Sequence, residues 1–132
     1  MPRYKLKIEY DGTNFVGWQQ QDNGPSVQMA IQTAAFHFCG SEVDCLAAGR
    51  TDSGVHALGQ VAHLDLPRIY PTDTVRDALN AYLRPAPVAV LEVEQVDDEF
   101  HARFSATMRA YQYVIINRRS PLTIERGRAW LV

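Results

Sequence analysis

Cysteine is scarce in this 132-residue chain. Cys39 and Cys45 are its two cysteines, too few for a disulfide framework, and the default reading is a reduced, cytoplasmic protein. No apolar run approaches the roughly 20 residues a membrane helix needs. The opening MPRYKLKIEY has no secretory h-region, so no membrane association is expected. The four histidines and two cysteines lack CxxC, HExxH or zinc-ribbon spacing, so no metal is expected. No phosphate-cradling P-loop and no Gly-x-Gly-x-x-Gly is present. The segment Leu58-Gly59-Gln60-Val61-Ala62-His63 does not carry the aromatic pattern of an RNA-recognition motif. Internal repeats and low-complexity stretches are absent too. The chain does have a globular composition, 46% hydrophobic and 21% charged, and a length that fits one domain.

Lysine is the other scarcity. Lys5 and Lys7 stand against eleven arginines, and guanidinium forks suit phosphate and base stacking better than ammonium groups do. The net charge of −2 is unevenly spread. Residues 1–100 hold 7 Lys/Arg and 14 Asp/Glu, whereas residues 101–132 hold six Arg and one acid, Glu125. The total does not point to a nucleic-acid protein, but the tail leaves room for one.

Tyr4, Leu6, Ile8 and Tyr10 alternate with Lys5, Lys7 and Glu9, the period of a half-buried strand. After a glycine-punctuated loop, Ser26 is placed to cap a helix. Val27, Ala30, Ile31, Ala34, Ala35 and Phe38 form its apolar stripe, and Gly40 closes it. Residues 43–48 read as a second strand. Residues 58–66 read as a third, with Leu58, Ala62, Leu64 and Leu66 on one side. A second helix, capped near Thr72, carries Val75, Ala78, Leu79, Tyr82 and Leu83 and is stopped by Pro85 and Pro87. Residues 88–96 read as a fourth strand. The order β-α-β-β-α-β predicts an α+β, ferredoxin-like unit, an antiparallel sheet with both helices on one face. Residues 110–117 predict a further strand, and the chain ends on the apolar Trp130-Leu131-Val132. Termini are usually polar and frayed, so this end is expected to belong to a longer chain or to dock on something.

Three clusters are candidates for chemistry. In Ala48-Gly49-Arg50-Thr51-Asp52-Ser53-Gly54-Val55-His56, an extended backbone would put Arg50 and Asp52 on one side. A guanidinium there keeps the carboxylate ionised and able to attack an electrophilic sugar carbon. The same pattern also describes a solvated ion pair in a hairpin. In Phe100-His101-Ala102-Arg103-Phe104-Ser105, leading to Arg109-Ala110-Tyr111-Gln112-Tyr113, basic and aromatic types alternate, as stacking on bases with phosphate neutralisation requires. Buried strand tyrosines give the same pattern. The third cluster, Glu9 to Gln21, is a glycine-bounded aromatic loop that suits packing against the sheet as well as lining a cleft.

Together these motifs resemble the N-terminal portion of the tRNA pseudouridine synthase A family. The resemblance runs from Tyr4 to Val132. It rests on Glu9-Tyr10-Asp11-Gly12 with Gly17-Trp18-Gln19, on Ser26-Val27-Gln28, and most on Gly49-Arg50-Thr51-Asp52-Ser53-Gly54-Val55-His56-Ala57 followed by Gly59-Gln60-Val61. Phe100-His101-Ala102-Arg103-Phe104-Ser105-Ala106 and Arg109-x-Tyr111-x-Tyr113 complete it. The resemblance implies a cofactor-free isomerase acting on uridines of the tRNA anticodon arm, at positions 38–40. It places the catalytic aspartate on Asp52, an arginine that pairs with it on Arg50, and the tyrosine that contacts uracil on Tyr111. Attack at ribose C1′, attack at base C6 and elimination through a glycal stay open. Arg103, Arg109 and His56 are further candidate RNA contacts. The family implied is roughly twice this length and homodimeric, so residues 1–132 are expected to be an N-terminal catalytic domain without its second domain. The alternative is a non-catalytic RNA-binding module.

Overall fold

A computed structural model describes residues 1–21 and 24–131. Strand β1 (Arg3–Tyr10) places Tyr4, Leu6, Ile8 and Tyr10 in the core and turns Lys5, Lys7 and Glu9 the other way. It runs at the centre of a four-stranded antiparallel sheet with β2 (Cys45–Ala47), β3 (Ala57–Asp65) and β4 (Val88–Val96), in the order β2-β3-β1-β4. Helices α1 (Val27–Cys39) and α2 (Thr72–Leu83) pack against each other and cover one face. This is the ferredoxin-like arrangement expected from the element order.

Helix α1 begins where Ser26 Oγ accepts the Met29 N–H at 3.2 Å and ends where Gly40, at φ 77°, donates its N–H to the Phe36 carbonyl. Both match the residues assigned to those roles. Val27, Ile31, Ala34 and Ala35 are its buried face. Helix α2 differs at its start. Pro71, not Thr72, is the cap residue, with no side-chain cap; Asp73 accepts the Thr74 N–H at 2.8 Å. Val75, Leu79 and Leu83 are buried, but Tyr82 is half exposed, stacked on His37 instead.

Both outer strands are tied to the helices by side-chain amides. Gln32 Oε1 accepts the Cys45 N–H and Gln28 Nε2 donates to the Cys45 carbonyl. On the opposite edge, Asn80 makes the same two bonds to Val90. Backbone groups that a bare edge strand would leave open are thereby satisfied.

Two expectations are corrected. Leu58 is exposed rather than in the core. The β1–β3 register shifts between Ile8, opposite Gln60, and Tyr10, opposite Ala57, and an extra residue there reverses the alternation. The strand expected over 110–117 shrinks to β5 (Ile115–Ile116), paired in parallel with β6 (Trp130–Leu131) as a separate small sheet. Tyr113 and Met108 are almost fully exposed, so an alternating pattern here has no neighbouring strand to fold against. Val132, the last residue of the apolar end, lies outside the described residues.

Candidate active site

The loop between β2 and β3 is clamped from several sides by backbone and side-chain hydrogen bonds. Gln60 donates to the Gly49 carbonyl at 2.6 Å. Trp18 N–H donates to the Thr51 carbonyl, and the Thr51 hydroxyl meets the Tyr10 hydroxyl at 2.8 Å. Gly54 N–H and the Ser53 hydroxyl both donate to the Phe15 carbonyl. This close approach needs glycine: a Cβ on Gly17, at φ 106°, would stand 2.5 Å from the Thr51 oxygen. Asp52 closes the loop, its carbonyl accepting the Val55 N–H in a turn with Gly54 at φ 79°. The Asp52 side chain is exposed, and no side-chain hydrogen bond or ion pair engages it among the described residues.

The expected Arg50–Asp52 ion pair is not formed within 4.0 Å. The chain bends at 48–49 and turns at 53–54, on either side of these residues. Arg50 instead lines a cleft of about 680 Å³ beside β2, together with Arg103, Arg109, His101, Phe104 and Tyr111. No aspartate or glutamate is among the cleft's lining residues. Asp52 lies outside this lining.

Arg109 holds the cleft together. Its Nε donates to the Ala48 carbonyl and its Nη2 to the Arg103 carbonyl, both at 3.0 Å. A Cβ on Gly49 would touch the Tyr111 hydroxyl and Arg109 Cδ at 3.6 Å, so Gly49 is the floor beneath both side chains. Tyr111 keeps 65% of its surface open. His56 stands elsewhere. Its Nδ1 accepts the Gly12 N–H, and its Nε2 lies 2.5 Å from the Gly127 carbonyl oxygen. With Asp11 and Arg128 it borders a second hollow of about 470 Å³. Asp11 is held below the usual carboxylate range, first by the Thr13 hydroxyl and N–H, with Arg128 and His56 adding to the effect.

His63 is a structural residue that the sequence does not single out. Sequence alternation puts it on the helix-free face, where solvent is expected, yet it is 3% exposed. The Phe100–Ser105 turn covers it, and its Nδ1 accepts the Ala102 N–H at 3.0 Å. Burial pushes its pKa down to about 4, with Arg3 and His101 adding to the shift and Asp65 opposing it. Arg3 pairs with Asp65 at 2.8 Å and donates to the Asp98 and Phe100 carbonyls, which anchors the same turn. Nothing nearby in sequence signals these contacts, because the partners are far apart along the chain.

Fold and cleft together define an α+β protein that offers an acid-free, arginine- and aromatic-lined cleft beside a clamped loop with a free carboxylate. The family model described as tRNA pseudouridine synthase matches residues 7–105, and the chain belongs to that family. Relatives named tRNA pseudouridine synthase A match all of it. Those of Parvibaculum lavamentivorans and Paramagnetospirillum magneticum are each 61% identical over 132 residues, covering 54% and 52% of the relative. That of Rhodospirillum rubrum is 57% identical and covered to 48%. The chain spans about half the length of the curated relatives it matches.

Proposed function

We propose that this chain is the part of a tRNA pseudouridine synthase that carries the nucleophile, and that Asp52 is that nucleophile. The observation that carries the reading is the Asp52 carboxylate, exposed and unengaged on a loop whose backbone is pinned at Thr51 and Gly54. A pinned loop holds a reacting oxygen in place without tying up its lone pairs.

The reaction breaks the bond from uracil N1 to ribose C1′ and joins C5 to C1′. N1 gains a proton and C5 loses one, so no group is added and no electrons are exchanged with a partner. Asp52 attacks the sugar carbon as oxocarbenium-like charge builds there, as carboxylates do in glycosidases. Arg50, projecting into the cleft rather than onto Asp52, takes the space that the extruded base leaves in the stem. Extrusion costs a few kcal/mol, and a guanidinium in the vacated stack offsets part of it. Tyr111, over Gly49, contacts the uracil, with its hydroxyl near the C5 proton. The acid-free cleft supports a polyanionic substrate. Uridines of the anticodon arm as targets, a homodimer as the working unit and the cytoplasm as its compartment complete the reading.

The test is Asp52→Ala and Asp52→Asn in the full-length protein, read by tritium release from tRNA labelled at uracil C5. Turnover is expected to fall by about a thousandfold or more while tRNA affinity changes by less than about threefold. Turnover that survives either substitution removes Asp52 from the mechanism. Salt-dependent tRNA binding by residues 1–132 without turnover would mark this piece as the binding half of the site.

A further inference from the structure

The Phe100–Ser105 turn carries a feature the reaction chemistry does not use. Phe104 is 78% exposed, although it sits on the cleft lining. Its ring leans on His101, with centroids 4.4 Å apart and planes 35° apart. His101 in turn stands edge-on to the buried His63 at 4.7 Å. The row is fixed in place. His101 Nδ1 accepts the Arg103 and Phe104 N–H groups at 3.2 and 3.4 Å. Its own backbone N–H and C=O bond to Ser105. These bonds orient the His101 ring behind Phe104. The Arg103 guanidinium lies 5.8 Å from the Phe104 centroid.

An exposed aromatic ring braced by His101, with the Arg103 guanidinium over it, on a cleft bordered by three arginines and no acid, is built to receive a flat, negatively charged ligand. We infer that the open surface of Phe104 is a stacking step for a nucleobase of the RNA other than the one that reacts, and that Arg103 meets the phosphate of that same nucleotide. This rests on the substrate being RNA, as proposed above. Stacking is indifferent to base identity, because every base has a π-face. Phe104 therefore sets affinity and strand placement rather than the choice of target base.

The experiment uses the full-length protein and an anticodon stem-loop RNA carrying 2-aminopurine in the loop. Wild type is expected to quench the 2-aminopurine when it stands on Phe104. Phe104→Leu keeps an apolar side chain but has no π-face. It is expected to lose that quenching at every loop position tried and to weaken binding about tenfold. The salt slope of its binding should not change, because no charge is removed. Phe104→Trp should restore affinity. Wild-type affinity in Phe104→Leu, or no rescue by Phe104→Trp, overturns the inference while leaving the RNA reading intact. A loss of thermal stability in Phe104→Leu with unchanged RNA affinity would show that a polypeptide segment covers the ring, and would overturn it too. If wild type fails to bind the stem-loop at all, the RNA reading falls with it.

Discussion

Buried 3% exposed under a turn from a distant part of the chain, His63 is neutral because it has to accept the Ala102 N–H. Its folded pKa, about 4, lies below its ordinary 6.5. The unfolded chain therefore takes up a proton that the folded chain refuses as pH falls between those values. Stability from this residue is complete above pH 6.5 and declines as pH drops toward 4. At ~1.4 kcal/mol for each pH unit between them, the full loss is about 3–4 kcal/mol, most of it between pH 7 and pH 4.5. Urea unfolding at pH 7 and pH 4.5 should show that loss in wild type and a flatter profile in His63→Asn, whose amide oxygen can replace Nδ1 as acceptor. At this scale the sequence was an uneven guide. Asp52, Arg50 and Tyr111 were singled out by motif resemblance, and from residue types alone Asp52 read first as an ordinary ion-pair partner. The course of its loop is set by backbone contacts with Phe15 and Trp18, residues far from it in the chain. His63 was unreadable for the same reason: what buries it comes from residues far along the chain.

Among the elements, the side-chain amides at the sheet edges make the sharpest prediction. Asn80 gives both a donor and an acceptor to Val90. Asn80→Ala leaves a backbone N–H and C=O unpaired at a partly buried edge, which costs about 1–3 kcal/mol. The midpoint of urea unfolding should fall accordingly with the m-value unchanged. A bared edge also templates strand addition, so the variant should associate at concentrations where wild type stays monodisperse by light scattering. Periodicity and capping residues were enough to read β1, α1 and β4, because each is decided by its own alternation, stripe or caps. Register was not legible. One extra residue in β3 between Ala57 and Gln60, facing the Ile8–Tyr10 step of β1, sends Leu58 outward against a pattern that placed it inside. Nor was the tail, where Tyr111 and Tyr113 have strand-like spacing without a neighbouring strand to satisfy it.

At the level of the whole molecule, the buried hydrophobic residues fall between Tyr4 and Ala102. The segment beyond Ser105 thus contributes to the cleft more than to the core. Charge divides in nearly the same place, and that division was plain in the sequence. If the cleft arginines neutralise phosphates, the logarithm of RNA affinity should fall with the logarithm of salt at a slope of about −2, roughly 0.7 per arginine. Arg103→Ala should reduce that slope by roughly 0.7, read by titration across a salt series. The acid-free lining has a kinetic consequence as well. A body that is negative over most of its length and positive around one opening is an electric dipole. A polyanion drifting toward it feels a torque before it touches anything: collisions with the acidic surface are repelled, and those at the opening are guided in. Added salt shortens the reach of that torque to about 8 Å at physiological ionic strength but leaves the close contacts in place. The arrival rate should therefore suffer first as salt rises, with the lifetime of the bound state changing less.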